Sequence, residues 1–211
     1  MILDYTDTRA AERVREILSG GDVFIYPTDT LYGLGTDAAS ETGISRIYAI
    51  KERPAHMPVS IIVRDTAAIG DYAFLGGTAR LLADAFLPGA LTLVLPAREH
   101  RLPAALYGED GYLGFRIPDH PFCSMITEQY PHPLVSTSVN ISGRPALHAL
   151  EEMKARFRET VPLYIRDPER DAIKNPQGST VLRIDKSEKL HLLREGSIPF
   201  AEIRDLIRRR S

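Results

Sequence analysis

Apolar positions in this chain follow two rhythms that alternate along its length. Ala11, Val14, Ile17 and Leu18 recur at helical spacing, and Gly20-Gly21 closes that segment. The run Val23-Phe24-Ile25-Tyr26 follows and reads as a buried strand ended by Pro27. Ile44, Ile47, Tyr48 and Lys51 then share one face of a second helix. Pro54 cannot continue it, so Lys51 and Arg53 fall at its C-terminal end. Further along, strands are predicted at Val59–Val63, Leu91–Leu95, Leu113–Ile117, Leu134–Ser138, Leu163–Arg166, Thr180–Ile184 and Leu190–Arg194. Helices are predicted at Ala79–Phe86, Pro121–Gln129, Leu150–Phe157 and near Phe200–Arg209.

Several strands are consecutive near the end of the chain, so a strict βαβ repeat is absent. That favours a mixed α/β (α+β) architecture, a mixed sheet with helices packed on it. No linker, repeat or low-complexity tract divides the 211 residues, and one domain over 1–211 is expected.

Composition narrows the function classes. At 44% hydrophobic and 26% charged the chain is an ordinary globular one, so disorder is not the expectation. A formal net charge of −2 supplies no global attraction to nucleic acid or membrane, although a local basic cleft is compatible with it. No apolar run is long enough to span a bilayer, and Met1–Arg15 lacks the apolar core of a signal peptide. The single cysteine, Cys123, cannot form an intramolecular disulfide, and no Cys/His cluster suggests a metal site. A cytoplasmic protein without membrane contact is the expectation.

The polar positions interrupting this pattern carry the candidate chemistry. Tyr26-Pro27-Thr28-Asp29-Thr30-Leu31-Tyr32-Gly33-Leu34-Gly35 leaves a buried strand and gathers two hydroxyls, a carboxylate and a phenol in a turn. It is either a binding loop, with Gly33 and Gly35 permitting close backbone approach, or a polar turn satisfying its own backbone. Lys51-Glu52-Arg53 offers two cations that either complement a helix dipole or grip a polyphosphate. Ser136-Thr137-Ser138-Val139-Asn140-Ile141-Ser142-Gly143 concentrates hydroxyls and an amide suited to oxyanions or ribose, or else caps the next helix. Neither GxxxxGK[ST] nor GxGxxG is present, so a nucleotide site here must be built another way. Strand alternation puts Arg116 opposite Phe115 and Ile117: a surface arginine at a sheet edge, the commoner case, or a cleft arginine facing a carboxylate. Ser179 and Arg194 pose the same choice. With no GxSxG elbow, the inventory of hydroxyls, amides and cations favours orienting phosphorylated reactants over covalent catalysis.

Together these elements resemble the YrdC-like family of threonylcarbamoyl-AMP synthases. The likeness runs from about Gly20 to about Pro199 and includes PTDTxYGLG, KxR, Pro58–Ser60, Pro88–Leu95, Phe115–Pro121, SxNxSG, Ser179–Val181 and Leu193–Gly196 in order. It implies a twisted mixed sheet with flanking helices around a deep, positively lined cavity. It implies that L-threonine, bicarbonate and ATP give threonylcarbamoyl-AMP and pyrophosphate, with Mg²⁺ assisting. A threonylcarbamoyl transferase would then modify tRNA. The resemblance assigns ATP to Lys51, Arg53, Ser138, Asn140 and Arg194, with Lys51 and Arg53 also catalytic. It assigns threonine to Thr28, Thr30, Tyr32, Arg116, Ser136 and Ser179, and no metal to protein ligands. Met57 stands where many relatives have lysine, and Ser136-Thr137 is similar to the YciO-like branch. The competing readings are a YciO-like paralogue with another nucleotide substrate, and a non-catalytic module binding tRNA or other RNA. For the latter, Arg204, Arg208, Arg209 and Arg210 form a basic tail.

Overall fold

Pairing of the strands, more than local propensity, decides the architecture. The computed structural model describes residues 1–54, 57–99, 101–173 and 176–210. The strands are β1 (Ile2–Asp4), β2 (Phe24–Tyr26), β3 (Gly33–Asp37), β4 (Ser60–Ile62), β5 (Leu91–Pro96), β6 (Tyr112–Arg116), β7 (Leu134–Ser138), β8 (Leu163–Arg166), β9 (Thr180–Ile184) and β10 (Leu190–Arg194). The helices are α1 (Ala10–Ser19), α2 (Glu41–Lys51), α3 (Thr66–Tyr72), α4 (Gly77–Phe86), α5 (Pro121–Gln129), α6 (Leu150–Phe157), α7 (Pro168–Asp171) and α8 (Phe200–Arg210). All ten strands join one mixed sheet in the order β1-β8-β2-β3-β7-β4-β6-β5-β9-β10. The sheet contains parallel pairs such as β4–β6 and β5–β9 and antiparallel ones such as β3–β7 and β7–β4.

Local chemistry sets the helix ends. Ser40 Oγ accepts the Gly43 N–H at the start of α2, and the helix stops at Glu52 in the left-handed region. Asp65 caps α3 through the Ala68 N–H, while His120 and Pro121 open α5. The stripe of α1 that packs inward is Ala10, Val14 and Leu18, one position away from part of the expected set. Gly21, at φ +64°, makes the turn into β2 and leaves no room for a side chain: a Cβ there would sit 2.9 Å from Ser40 Oγ.

Four of these strands and α-helices are not in the sequence pattern: β1, β3, α3 and α7. β3 is the instructive case, because Gly33-Leu34-Gly35 reads as a turn and has weak strand propensity. It is nevertheless a strand, paired with β2 on one side and β7 on the other. The two glycines serve the Tyr26 ring, which lies across the strand. A Cβ would fall 2.8 Å from Tyr26 Cζ at Gly33 and 2.6 Å from Tyr26 Cε1 at Gly35. The close approach anticipated for a ligand is taken largely by this aromatic ring.

The sheet's faces differ in kind. On one, Leu34, Ile61, Leu93, Leu113, Phe115, Val135 and Leu182 form the larger core with helical residues Ile44, Leu82, Met153 and Ile203. On the other, a smaller core of Phe24, Tyr26, Ile62 and Leu134 is covered by Val14 and Leu18 of α1 and Phe122, Cys123 and Ile126 of α5. Beyond that cover the same face carries small and polar side chains: Ser136, Ser60, Gly114 and Thr92. That change of character, with no helix over it among the described residues, makes a cleft.

Candidate functional site

The cleft has a volume of about 460 Å³ and its floor is the central run of strands from β3 to β9. Thr28, Thr30, Tyr32, Arg53, Arg116, Ser136, Ser138, Ser179 and Arg194 all line it. Asn140 borders an adjoining depression that shares Ser138 and Arg194 with it. Lys51 lines neither.

The loop from Pro27 to Tyr32 holds itself open by its own side chains. Thr28 Oγ1 donates to Leu31 O (2.6 Å) and accepts from Thr30 N (3.1 Å). Arg116 clamps it from the sheet: Nη2 donates to Asp29 Oδ1 at 2.6 Å and Nη1 to Thr30 Oγ1 at 3.0 Å. Arg116 is only 7% exposed. The surface alternative therefore fails, because β6 lies between β4 and β5 and offers no edge. Arg170, on α7, adds a contact from Nη1 to Asp29 O (3.3 Å). Asp29 Oδ2, Arg116 Nε and Arg170 Nη2 are buried with no hydrogen-bond partner among the described residues, so this end of the cleft retains spare polar capacity.

Tyr32 anchors the loop's far end. Burial pushes its phenol up, so it acts as a neutral donor, to Asp171 Oδ1 at 2.8 Å, and it accepts the Asp167 N–H at 3.0 Å. His120 Nδ1 accepts the Phe122 N–H, which leaves Nε2 as the donor to Asp167 Oδ2 at 3.1 Å. Asp29, His120, Asp167, Arg170 and Asp171 escaped the sequence reading as site-forming residues. Asp29 and His120 stood inside recognised motifs without being singled out, whereas Asp167, Arg170 and Asp171 converge only through folding.

The second loop follows β7 and is built on Lys51. Lys51 Nζ donates to Ser138 O (2.6 Å), Asn140 O (3.0 Å) and Asn140 Oδ1 (2.8 Å). Ser138 Oγ also donates to Asn140 Oδ1, and Asn140 Nδ2 to Arg144 O. At 1% exposure the ammonium is enclosed, and burial followed by the neighbouring Arg53 guanidinium lowers its pKa to about 7. Lys51 thus shapes the Ser138–Asn140 loop from beneath. Arg53, by contrast, reaches the cleft, donating to the neutral carbonyls Met57 O and Pro58 O at 2.8 Å each.

At the other wall Thr92 Oγ1 and Ser179 Oγ lie 2.7 Å apart, and Arg194 Nη2 donates to Ser179 O at 2.9 Å. Cys123 sits beneath the site, 1% exposed, its thiol donating to Pro27 O, and burial pushes its pKa up. It is not poised as a nucleophile. In the C-terminal basic segment Arg204 lies over the Phe200 ring and Arg208 pairs with Asp205 at 3.8 Å. The side chain of Arg210 lies outside the described residues. Among the described residues no helix is long and apolar enough to cross a membrane, and no group of three or more His, Cys, Asp or Glu could hold a metal ion.

Residues 16–196 match the Sua5/YciO/YrdC family, described as "Telomere recombination". A putative threonylcarbamoyl-AMP synthase of Methanocaldococcus jannaschii is 35% identical over 189 residues, covering 90% of this chain and 86% of that protein. The threonylcarbamoyl-AMP synthase of Pseudoalteromonas translucida is 32% identical over 157 residues, 72% of this chain and 82% of its own. Among solved structures, P. abyssi Sua5 complexed with L-threonine superposes with a TM-score of 0.86 at 29% identity. It matches 98% of this chain, which spans only 61% of the Sua5 chain. E. coli YciO gives a TM-score of 0.81 at 26% identity, covering 94% and 95% of the two chains. On the extent of the matched residues and the shared mixed sheet, the chain belongs to the Sua5/YciO/YrdC family.

Proposed function

We propose that the chain is a threonylcarbamoyl-AMP synthase, a nucleotidyltransferase that supplies the activated intermediate for threonylcarbamoyladenosine in tRNA. The observation that carries this reading is one cleft uniting the hydroxyl loop at Thr28 and Thr30, clamped by Arg116, with Arg53, Ser138 and Arg194. The chain is also 35% identical to a relative named for that activity.

In this reading Thr28, Thr30, Tyr32, Arg116, Ser136 and Ser179 receive L-threonine. Lys51, Arg53, Ser138, Asn140 and Arg194 form the ATP side, with Lys51 acting through the loop it holds. The threonine amine adds to bicarbonate with loss of water, and a carbamate oxygen attacks the α-phosphorus as pyrophosphate leaves. The chain's contribution is proximity in a sheltered site and fixed cations for the charge on the departing group. Of the two cations assigned to that role, Arg53 faces the cleft, and Lys51 supports it through the Ser138–Asn140 loop it holds. Mg²⁺ would accompany the ATP phosphates and offset their charge. Such an ion is ordinarily held mainly by phosphate oxygens and water. A threonylcarbamoyl transferase and tRNA are the expected downstream partners, in the cytoplasm.

A second reading, a YciO-like paralogue using another nucleotide, is favoured by the near-complete mutual coverage with E. coli YciO. Pyrophosphate release from ATP separates the two. The synthase requires threonine and bicarbonate together, and the absence of threonine-dependent release from ATP would favour the paralogue, whose substrate is another nucleotide.

A further inference from the structure

One arginine of the cleft has no part in the reaction as assigned. Arg183 on β9 shares a row across the sheet with Val94, Gly114, Ser60 and Ser136, so it points from the wall into the cleft it lines. Its guanidinium lies 3.8 Å from the centroid of the Tyr112 ring, and Nη1 meets Asp110 Oδ2 at 2.5 Å. Stacking fixes the orientation of the planar group without consuming its N–H donors. The ion pair is partly solvated, its side chains 33% and 48% exposed. Such a pair contributes little to folding and exchanges readily for a stronger anion.

The same turn connects this cation to Arg53. Gly108 N donates to Tyr112 O at 2.9 Å, closing the turn that carries Asp110. A Cβ at Gly108 would lie 3.9 Å from Pro58 Cγ, and the Pro58 carbonyl accepts from Arg53 Nη2. Arg53, Asp110 and Arg183 therefore follow one another along one rim. A triphosphate held at Arg53 has a second cation within reach along that rim, masked by a carboxylate.

We propose that Arg183 is a further phosphate-binding residue of this cleft, contacting the part of ATP that leaves as pyrophosphate, with Asp110 as a built-in competitor for it. The inference rests on the ATP site of the proposed function. It is tested by calorimetric titration of pyrophosphate, ATP and AMP into the wild type, Arg183→Ala and Asp110→Asn. Removing one charge-assisted contact in Arg183→Ala should weaken ATP and pyrophosphate about tenfold and leave AMP unchanged. Asp110→Asn should tighten ATP and pyrophosphate, as expected when the carboxylate competes with phosphate for Arg183. Weaker binding in both variants, equal losses for AMP and ATP in Arg183→Ala, or no change in either would overturn the assignment. Threonine-dependent pyrophosphate release by the wild type is assayed separately. Its absence would sink the synthase reading while leaving a phosphate site demonstrated by these titrations intact.

Discussion

The ammonium of Lys51, donating to two carbonyls and an amide oxygen at 1% exposure, shows how a motif residue can act one step removed from a ligand. Sequence reasoning offers helix-end charge or phosphate grip for it; the fold adds a third role, holding the Ser138–Asn140 loop. Lys51→Met should therefore lower stability by ~2 kcal/mol, since it strands buried acceptors, in contrast to Arg53→Ala, which should weaken ATP with little loss of stability. The pH dependence has a defined sign. Folding takes the Lys51 pKa from its ordinary 10.5 down to about 7, so the unfolded chain holds the extra proton between those values. Wild-type stability relative to Lys51→Met should rise as pH climbs from about 7 to about 10.5; a flat difference in urea unfolding would contradict it. Cys123 gives a simpler test: its thiol should resist alkylation in the native protein and react once denaturant is added. Rapid native labelling would show that α5 does not pack on the sheet as described.

Elements with a strong hydrophobic period were legible in the chain itself. β7, β8, β9, β10, α5 and α6 have the bounds expected from their patterns. β3 was not, because two glycines signal a turn and only the pairing with β2 and β7 makes them a strand. α7 was missed for another reason: at Pro168–Asp171 it is too short for any apolar period, though it brings Arg170 and Asp171 to the site loop. Gly35→Ala tests the β3 account. Its new Cβ would sit 2.6 Å from Tyr26 Cε1 and 2.7 Å from Val135 O. Overpacking of this kind should cost ~1–3 kcal/mol and be seen as a lower urea midpoint. A neutral substitution would mean the ring does not rest on the strand.

At the scale of the whole molecule, strand order is what turns scattered motifs into one site. β3, β7, β4, β6, β5 and β9 are neighbours in space, so residues near positions 30, 60, 92, 114, 136 and 180 share one floor. Motif order in the sequence hinted at a shared site, but nothing local to Arg116 revealed that Asp29, on a distant loop, would be its partner. If that floor binds both substrates, threonine and ATP should stabilise the protein together. Each ligand at a hundred times its Kd should add ~2.7 kcal/mol, read as a rise in Tm. The most direct test of the account is to incubate the protein with ATP, L-threonine, Mg²⁺ and ¹³C-bicarbonate and examine the nucleotide product by mass spectrometry. The account predicts an AMP adduct carrying both threonine and the labelled carbon, with pyrophosphate released in equal amount. Pyrophosphate release without a threonine- and bicarbonate-derived adduct, or none at all, would contradict it.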